Sequence, residues 1–152
     1  LIEELGMIRV RNDVERKRLA GLSPEDSSGS GLEQGLYTAA QSTQTYLHSA
    51  ACARSIIESG HDAIVDATFL RRSERVWFAE LAQDLQVDFV IVPFDASETE
   101  LRRRIAMRQA SGDNVSEATW EVLESQIRHR EPLSVEEETR TRSVAELLKR
   151  HV

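Results

Sequence analysis

Apolar residues in this chain come in two spacings, and the alternation between them predicts the layout. Predominantly apolar runs occur at Ala63 to Val65 before Asp66 and at Val87 to Phe94, and a further strand is expected at Met7 to Val10. Runs without polar alternation predict strands covered on both faces, the pattern of a parallel sheet flanked by helices. Between them the spacing changes. Ala39, Thr43, Tyr46, Leu47, Ala50, Ile56 and Ile57 recur at helical intervals over Thr38 to Ser59, and Gly60 stops that helix. A second helix is predicted from Ser73 to Leu85 with Trp77, Phe78, Leu81, Ala82 and Leu85 inward, and a shorter one from Asp13 to Ala20 closed at Gly21.

The polar segments supply the punctuation. Leu22 to Gly35 is rich in Ser, Gly and acid and predicts a mobile surface loop. Ser97 and Glu100 form a capping-box pattern that starts a helix carrying Leu101, Arg104, Ile105 and Arg108. Ser111 to Ser116 breaks it, Ser116 caps a following helix through His129, and Glu131-Pro132 ends that one. Two helices around a polar hinge predict a lid over about 109–131. Ser134 to Arg142 is charged and poor in apolar residues, while Ser143 and Glu146 cap a last short helix. Without repeats or a dividing linker, residues 1–152 predict a single α/β domain. The opening Leu1 to Gly6 has the character of a helix end running straight into a strand, and no initiator Met precedes it. A strand is expected before that helix, so the domain is expected to be truncated at its N-terminus.

Composition narrows the classes. With 152 residues, 40% hydrophobic and 30% charged, the chain can bury one core. A net charge of -7 argues against a broad basic face for nucleic acid and allows only a local site. Cys52 is the sole cysteine, which excludes internal disulfides and suits a buried inert thiol in a reducing cytoplasm. The apolar run at Phe89 to Phe94 is too short to span a bilayer, so no membrane partner is expected. Seventeen of the 19 basic residues are Arg, a bias that GC-rich coding explains as readily as phosphate recognition.

Position separates these better than counting does. Asp13, Arg16 and Lys17 share the first turns of a helix that begins at a strand's carboxyl end, where ligands of open α/β sheets gather, although an ordinary N-cap at Asp13 with Lys17 as its partner gives the same spacing. Asp66 ends a strand before small residues, a geometry that presents a carboxylate to a metal-bound phosphate or merely caps a loop. A dehalogenase-type phosphatase would want a second acid two residues on, where Thr68 stands. Arg71, Arg72 and Arg75 crowd a helix N-terminus, which the helix dipole disfavours unless an anion or Glu74 and solvent compensate. Arg102 and Arg104 can pair with Glu98 and Glu100, whereas Arg108 has only like-charged Arg104 four residues back. A solvated helix face tolerates that, and a phosphate clamp would use it.

At these residues the chain resembles a known family. Arg11-Asn-Asp13-Val-Glu-Arg16-Lys17-Arg-Leu19, Tyr37 and Tyr46, Gly60-His-Asp-Ala-Ile-Val-Asp66-Ala-Thr-Phe-Leu-Arg-Arg-Ser-Glu-Arg75, and Leu101-Arg-Arg-Arg104-Ile-Ala-Met-Arg108 look like the AAA-type ATP-binding proteins predicted to be P-loop kinases. Those are similar to the kinase domain of polynucleotide kinases and in bacteria are often fused to an aminoglycoside-phosphotransferase-like domain. The resemblance covers about residues 1–138. It implies a P-loop NTPase-like sheet, ATP and Mg2+ as cofactors, and a nucleotide and a hydroxyl-bearing acceptor as partners.

By the same resemblance Asp13 is the general base, Arg16 binds the acceptor, Asp66 orients magnesium through water, and Arg104 and Arg108 are lid arginines on the transferred phosphate. Arg72 and Arg75 remain candidates for the substrate anion. The departure is that no Gly-x-x-x-x-Gly-Lys occurs, the only lysines being Lys17 and Lys149. The first strand and phosphate loop are therefore expected to be absent from this sequence, and the chain alone is expected to be inactive. The leading expectation is ATP-dependent phosphoryl transfer to a small-molecule hydroxyl or a nucleic-acid 5′ end by the parent protein. A non-catalytic nucleotide-binding or regulatory module is the alternative, and a purely helical interaction domain the third.

Overall fold

A computed structural model describes residues 2–26, 38–111 and 119–149. The described elements run α1 (Ile2–Leu5), β1 (Ile8–Arg11), α2 (Asn12–Leu19), α3 (Ala39–Glu58), β2 (Ala63–Asp66), α4 (Arg72–Asp84), α5 (Glu98–Ser111), α6 (Trp120–His129), α7 (Val135–Thr139) and α8 (Val144–Lys149). β1 and β2 pair in parallel, Ile8 opposite Ala63 and Arg11 opposite Asp66, so both strands end at one edge. The long crossover between them is α3. Its N-terminus is capped by Thr38, whose hydroxyl accepts from Gln41 N, and the chain leaves it through Gly60 at φ 85°, a conformation that a β-carbon would disfavour.

The buried face of α3 differs from the predicted one. Thr45, Tyr46, Ser49 and Ala53 are buried, while Leu47 is half exposed. Small polar side chains can occupy this face because their hydroxyls are satisfied locally or across the packing. Thr45 Oγ1 donates to the Gln41 carbonyl at 2.8 Å, and Ser49 Oγ donates to Asn12 Oδ1 at 3.0 Å, tying α3 to the first residue of α2. On the other side Tyr46, Phe69 and Phe78 form an aromatic cluster with ring centroids 5.2 to 6.5 Å apart.

The strand expected at Val87 to Phe94 is not formed. This segment makes one parallel bridge, Ile91 to Thr141, through Ile91 N to the Arg140 carbonyl at 3.0 Å and Arg142 N to the Ile91 carbonyl at 2.9 Å. An apolar run becomes a strand only where a neighbour supplies a ladder. With a single bridge, Val87 stays 40% and Phe94 81% exposed. Among the described residues the sheet is therefore the β1–β2 pair alone, and Ile91–Thr141 is an isolated bridge outside it.

α7 was not anticipated, although Ser134 and Glu137 carry the capping-box spacing and both its hydrogen bonds form. α6 starts at Trp120 under a Thr119 cap, and the Ser116 cap predicted for it lies outside the described residues. So do Tyr37, the predicted loop beyond Asp26 and the polar hinge within 112–118. No helix among the described residues is long and apolar enough to cross a membrane.

Candidate functional site

The β1 and β2 ends open into a cleft of about 1020 Å³. One wall is the start of α2 with Asn12, Asp13 and Arg16; the floor is the β2 exit with Asp66, Ala67 and Thr68; α3 contributes Thr38, Ser42 and Tyr46. The start of α4 adds Arg71, Glu74 and Trp77, and α6 closes the far side with Val122, Ser125, Gln126 and His129, four positions on one helical face.

Asp13 is not the N-cap. α2 begins one residue earlier, after Arg11, which makes no side-chain cap. One Asp13 oxygen accepts from Val14 N at 2.9 Å and the other from Arg11 Nη2 at 3.1 Å, and its side chain remains one-third exposed toward the cleft. Lys17 is buried with Nζ donating to the Pro24 carbonyl at 2.8 Å, so it anchors the segment that leaves α2. Asp66 is exposed, 3.8 Å from Arg9 Nη1, and lines the cleft one strand away from Asp13.

The β2 exit is held in an unusual shape. Phe69 has φ 45°, a strained value for a bulky residue. Three contacts hold it there: its ring in the aromatic cluster, its N–H donating to the Tyr46 hydroxyl at 3.0 Å, and its carbonyl accepting from Arg75 Nη1 at 3.0 Å. Burial, with Glu74 nearby, pushes the Tyr46 hydroxyl up to about 12, so it stays a neutral hydrogen-bonding post.

Arg75 and Arg72 are not brought into the cleft. Arg75 is 5% exposed and fully engaged: Nε and Nη2 grip Glu137 at 2.6 and 3.2 Å, and its remaining donors reach the carbonyls of Phe69, Glu131 and Pro132. Arg75 is the tie between the β2 exit and α7. Arg72 is exposed, and its backbone N–H donates to Glu131 Oε2 at 2.6 Å, so a carboxylate of the chain already meets the N-terminus of α4. Arg71, immediately before that helix, is the arginine of this group that lines the cleft.

Arg104 lies on the exposed face of α5, its Nε on Glu100 at 2.6 Å, and Arg103 shares the same carboxylate. The hydrogen bonds from these two arginines hold Glu100 down to about 2. Arg102 pairs with Glu98 as its spacing predicts and also stacks on Trp120, 3.4 Å from the ring centroid, which joins α5 to α6. Arg108 is in α5, its side chain outside the described residues. The cleft also contains Asn12 and His129, which sequence reasoning did not single out, Thr68, named there only as the position where a second acid is missing, and Trp77, expected there as an inward residue of its helix. His129 Nδ1 donates to the Ser125 carbonyl at 2.7 Å, which orients its ring. Only the α6 periodicity Val122, Ser125, Gln126, His129 could have flagged it.

The donors available for a cation here are hard oxygens, the Asp13 and Asp66 carboxylates and the Thr68 hydroxyl, which suit magnesium better than softer metals. Searches of curated proteins and of solved structures returned no match to this chain. The sequence profile of a family described as an AAA domain matches residues 1–133. That span takes in β1, β2, α6 and every residue named in the cleft, and the α/β arrangement with its parallel strand pair is compatible with the fold of such domains. The chain belongs to this AAA domain family, which is of the P-loop NTPase-like kind.

Proposed function

We propose that the cleft is the acceptor side of an ATP-dependent phosphoryl-transfer site acting on a hydroxyl. The observation that carries this reading is the register of β1 and β2, which sets Asp66 beside the start of α2, so that Asp13, Arg16, Asp66 and Arg71 share one cleft at the carboxyl edge of a parallel pair. Phosphoryl transfer asks chiefly for positioning, charge neutralisation and a base, and these residues supply each.

Asp13, fixed by Val14 N and Arg11, accepts the proton of the acceptor hydroxyl. Arg16 and Arg71 hold the acceptor and its anionic groups, and the Trp77 face and α6 shape its pocket. Asp66 would hold hydrated magnesium through water. Bound Mg-ATP would supply the phosphoryl group and the metal's charge. In this reading Arg104 leaves Glu100 to meet the transferred group, with Arg108 one turn further along α5. The residues given carry no Gly-rich Lys-Ser/Thr phosphate loop, so in this reading they supply the acceptor side of the site.

The test is transfer of labelled γ-phosphoryl from ATP by the full-length gene product to a panel of free 5′-hydroxyl oligonucleotides, nucleosides and sugar-like alcohols. Magnesium-dependent labelling that collapses in Asp13→Asn supports the proposal. Tight nucleotide binding with no transfer to any acceptor makes the domain a regulatory nucleotide-binding module instead.

A further inference from the structure

On the side of α2 away from that cleft, three potential metal ligands converge. Glu15 Oε2 lies 3.0 Å from His48 Nε2, Cys52 Sγ lies 3.6 Å from the same nitrogen, and all three donor atoms are within 4.8 Å of one another. His48 and Cys52 are one turn apart on α3 and therefore share a face, and Glu15 reaches them from α2. Glu15 is 6% exposed, while the other two are half-buried.

A nucleophile, base and orienting acid would use the two nitrogens of the imidazole, one for each neighbour. Here the carboxylate and the sulfur approach one nitrogen, so the ring cannot pass a proton between them. Convergence of O, N and S on a common point is the arrangement of ligands around a cation. A tetrahedral zinc ion with usual bond lengths has ligand-to-ligand edges of roughly 3.3 to 3.6 Å, so two of the three edges are nearly in place. We propose that Glu15, His48 and Cys52 form a binding site for a zinc-class divalent cation, with water as the fourth ligand on the exposed side of His48.

The groups around the site are compatible with this. In the metal-free state His48 Nε2–H donates to Glu15, and Arg18 Nη1 reaches both Glu15 oxygens at 2.6 and 2.8 Å. On binding, Oε2 turns to the cation, Oε1 keeps Arg18, and His48 carries its proton on Nδ1. Burial and the Glu15 charge push the Cys52 thiol up, so at neutral pH it is protonated, and binding releases that proton to solvent as the sulfur becomes a thiolate ligand. The loaded site would clamp α2, the bearer of Asp13 and Arg16, onto α3, the bearer of Tyr46. It stands apart from the magnesium proposed in the cleft, which takes only oxygen donors.

Cys52 is the single cysteine, which gives the test an unambiguous signal. The full chain, with any affinity tag removed, is titrated with cobalt(II) and then with zinc. A thiolate-to-cobalt charge-transfer band with the visible bands of tetrahedral coordination, displaced by zinc, is the expected result. The band should vanish in Cys52→Ser, affinity should fall about tenfold or more in His48→Gln, and zinc should raise the melting temperature of the wild type by more than that of either variant. Absence of the charge-transfer band at saturating cobalt in folded wild-type protein overturns the site whether or not the variants fold. An equal zinc effect in wild type and folded variants overturns it as well.

Discussion

Asp13 and Glu137 sit in opposite surroundings that their chemical type does not reveal. Asp13 is held by one backbone N–H and one arginine at the edge of an open cleft, while Glu137 is locked against a buried guanidinium. If Asp13 is the base, Asp13→Asn in the full-length protein should lower turnover by on the order of 10² or more with little change in melting temperature. A fall in melting temperature with turnover intact would make it a structural residue of the α2 start. Removing the Glu137 charge should be felt in stability, because it leaves Arg75 buried without its counterion. Glu137→Gln is expected to cost about 3–5 kcal/mol at neutral pH in denaturant titrations. The Arg75 hydrogen bonds hold Glu137 down to about 2 from an ordinary 4.5. Its folded-state value is depressed, so the stabilisation is fully present above about pH 4.5 and is lost as pH falls through about 2. The stability gap between wild type and variant should therefore be constant from neutral pH down to about pH 5 and close toward pH 2.

At the scale of elements, the β2 exit depends on α3. Tyr46 supplies the hydroxyl that accepts the Phe69 N–H and the ring against which Phe69 and Phe78 pack. Tyr46→Phe keeps the packing and orphans one backbone donor, so it should cost about 1–3 kcal/mol and loosen the turn that presents Asp66 and Thr68. Hydrogen exchange at the Phe69 amide would rise if that account is right and stay unchanged if the turn is held by packing alone. α5 is tested differently. Arg103 and Arg104 share Glu100 on an exposed helix face, so Arg104→Ala leaves Glu100 with a partner and should hardly move the melting temperature. As a lid arginine, Arg104 should slow turnover far more than it weakens nucleotide affinity. Unaltered turnover would return α5 to the status of a solvated helix.

Across the whole molecule, the cleft is assembled from segments distant in the chain, α2, the β2 exit, the α4 start and α6, and Glu131 and Glu137 tie the α4 start to the segment that follows α6. Among the described residues the sheet beneath it is the β1–β2 pair, and the sequence carries no Gly-rich Lys loop. The expected outcome is that this chain titrated with Mg-ATP binds poorly, and that the full-length gene product binds it well. Equal, tight calorimetric binding by both would show that the cleft grips nucleotide without such a loop.

Much of this was legible along the chain because the forces concerned are local. The bounds of β2, the Thr38 cap and Gly60 stop of α3, the Ser97 hydroxyl cap of α5, the capping box at Ser143, and the Arg102 and Arg104 pairs each depend on residues a few positions apart. That Asp13 and Asp66 lie at one sheet edge was legible because residues at the ends of parallel strands must gather there, and with Arg16 they line one cleft. Distant partners decided the rest. Arg72 and Arg75 share the start of α4 with Arg71, yet contacts with Glu131 and Glu137 about sixty positions away turn one into a buried tie and cover the backbone beside the other. Val87 to Phe94 has the composition of a strand, but strands exist by pairing, and composition cannot supply the neighbour. The meeting of Glu15 with His48 and Cys52 likewise follows from how α2 lies on α3, a packing that no local spacing encodes.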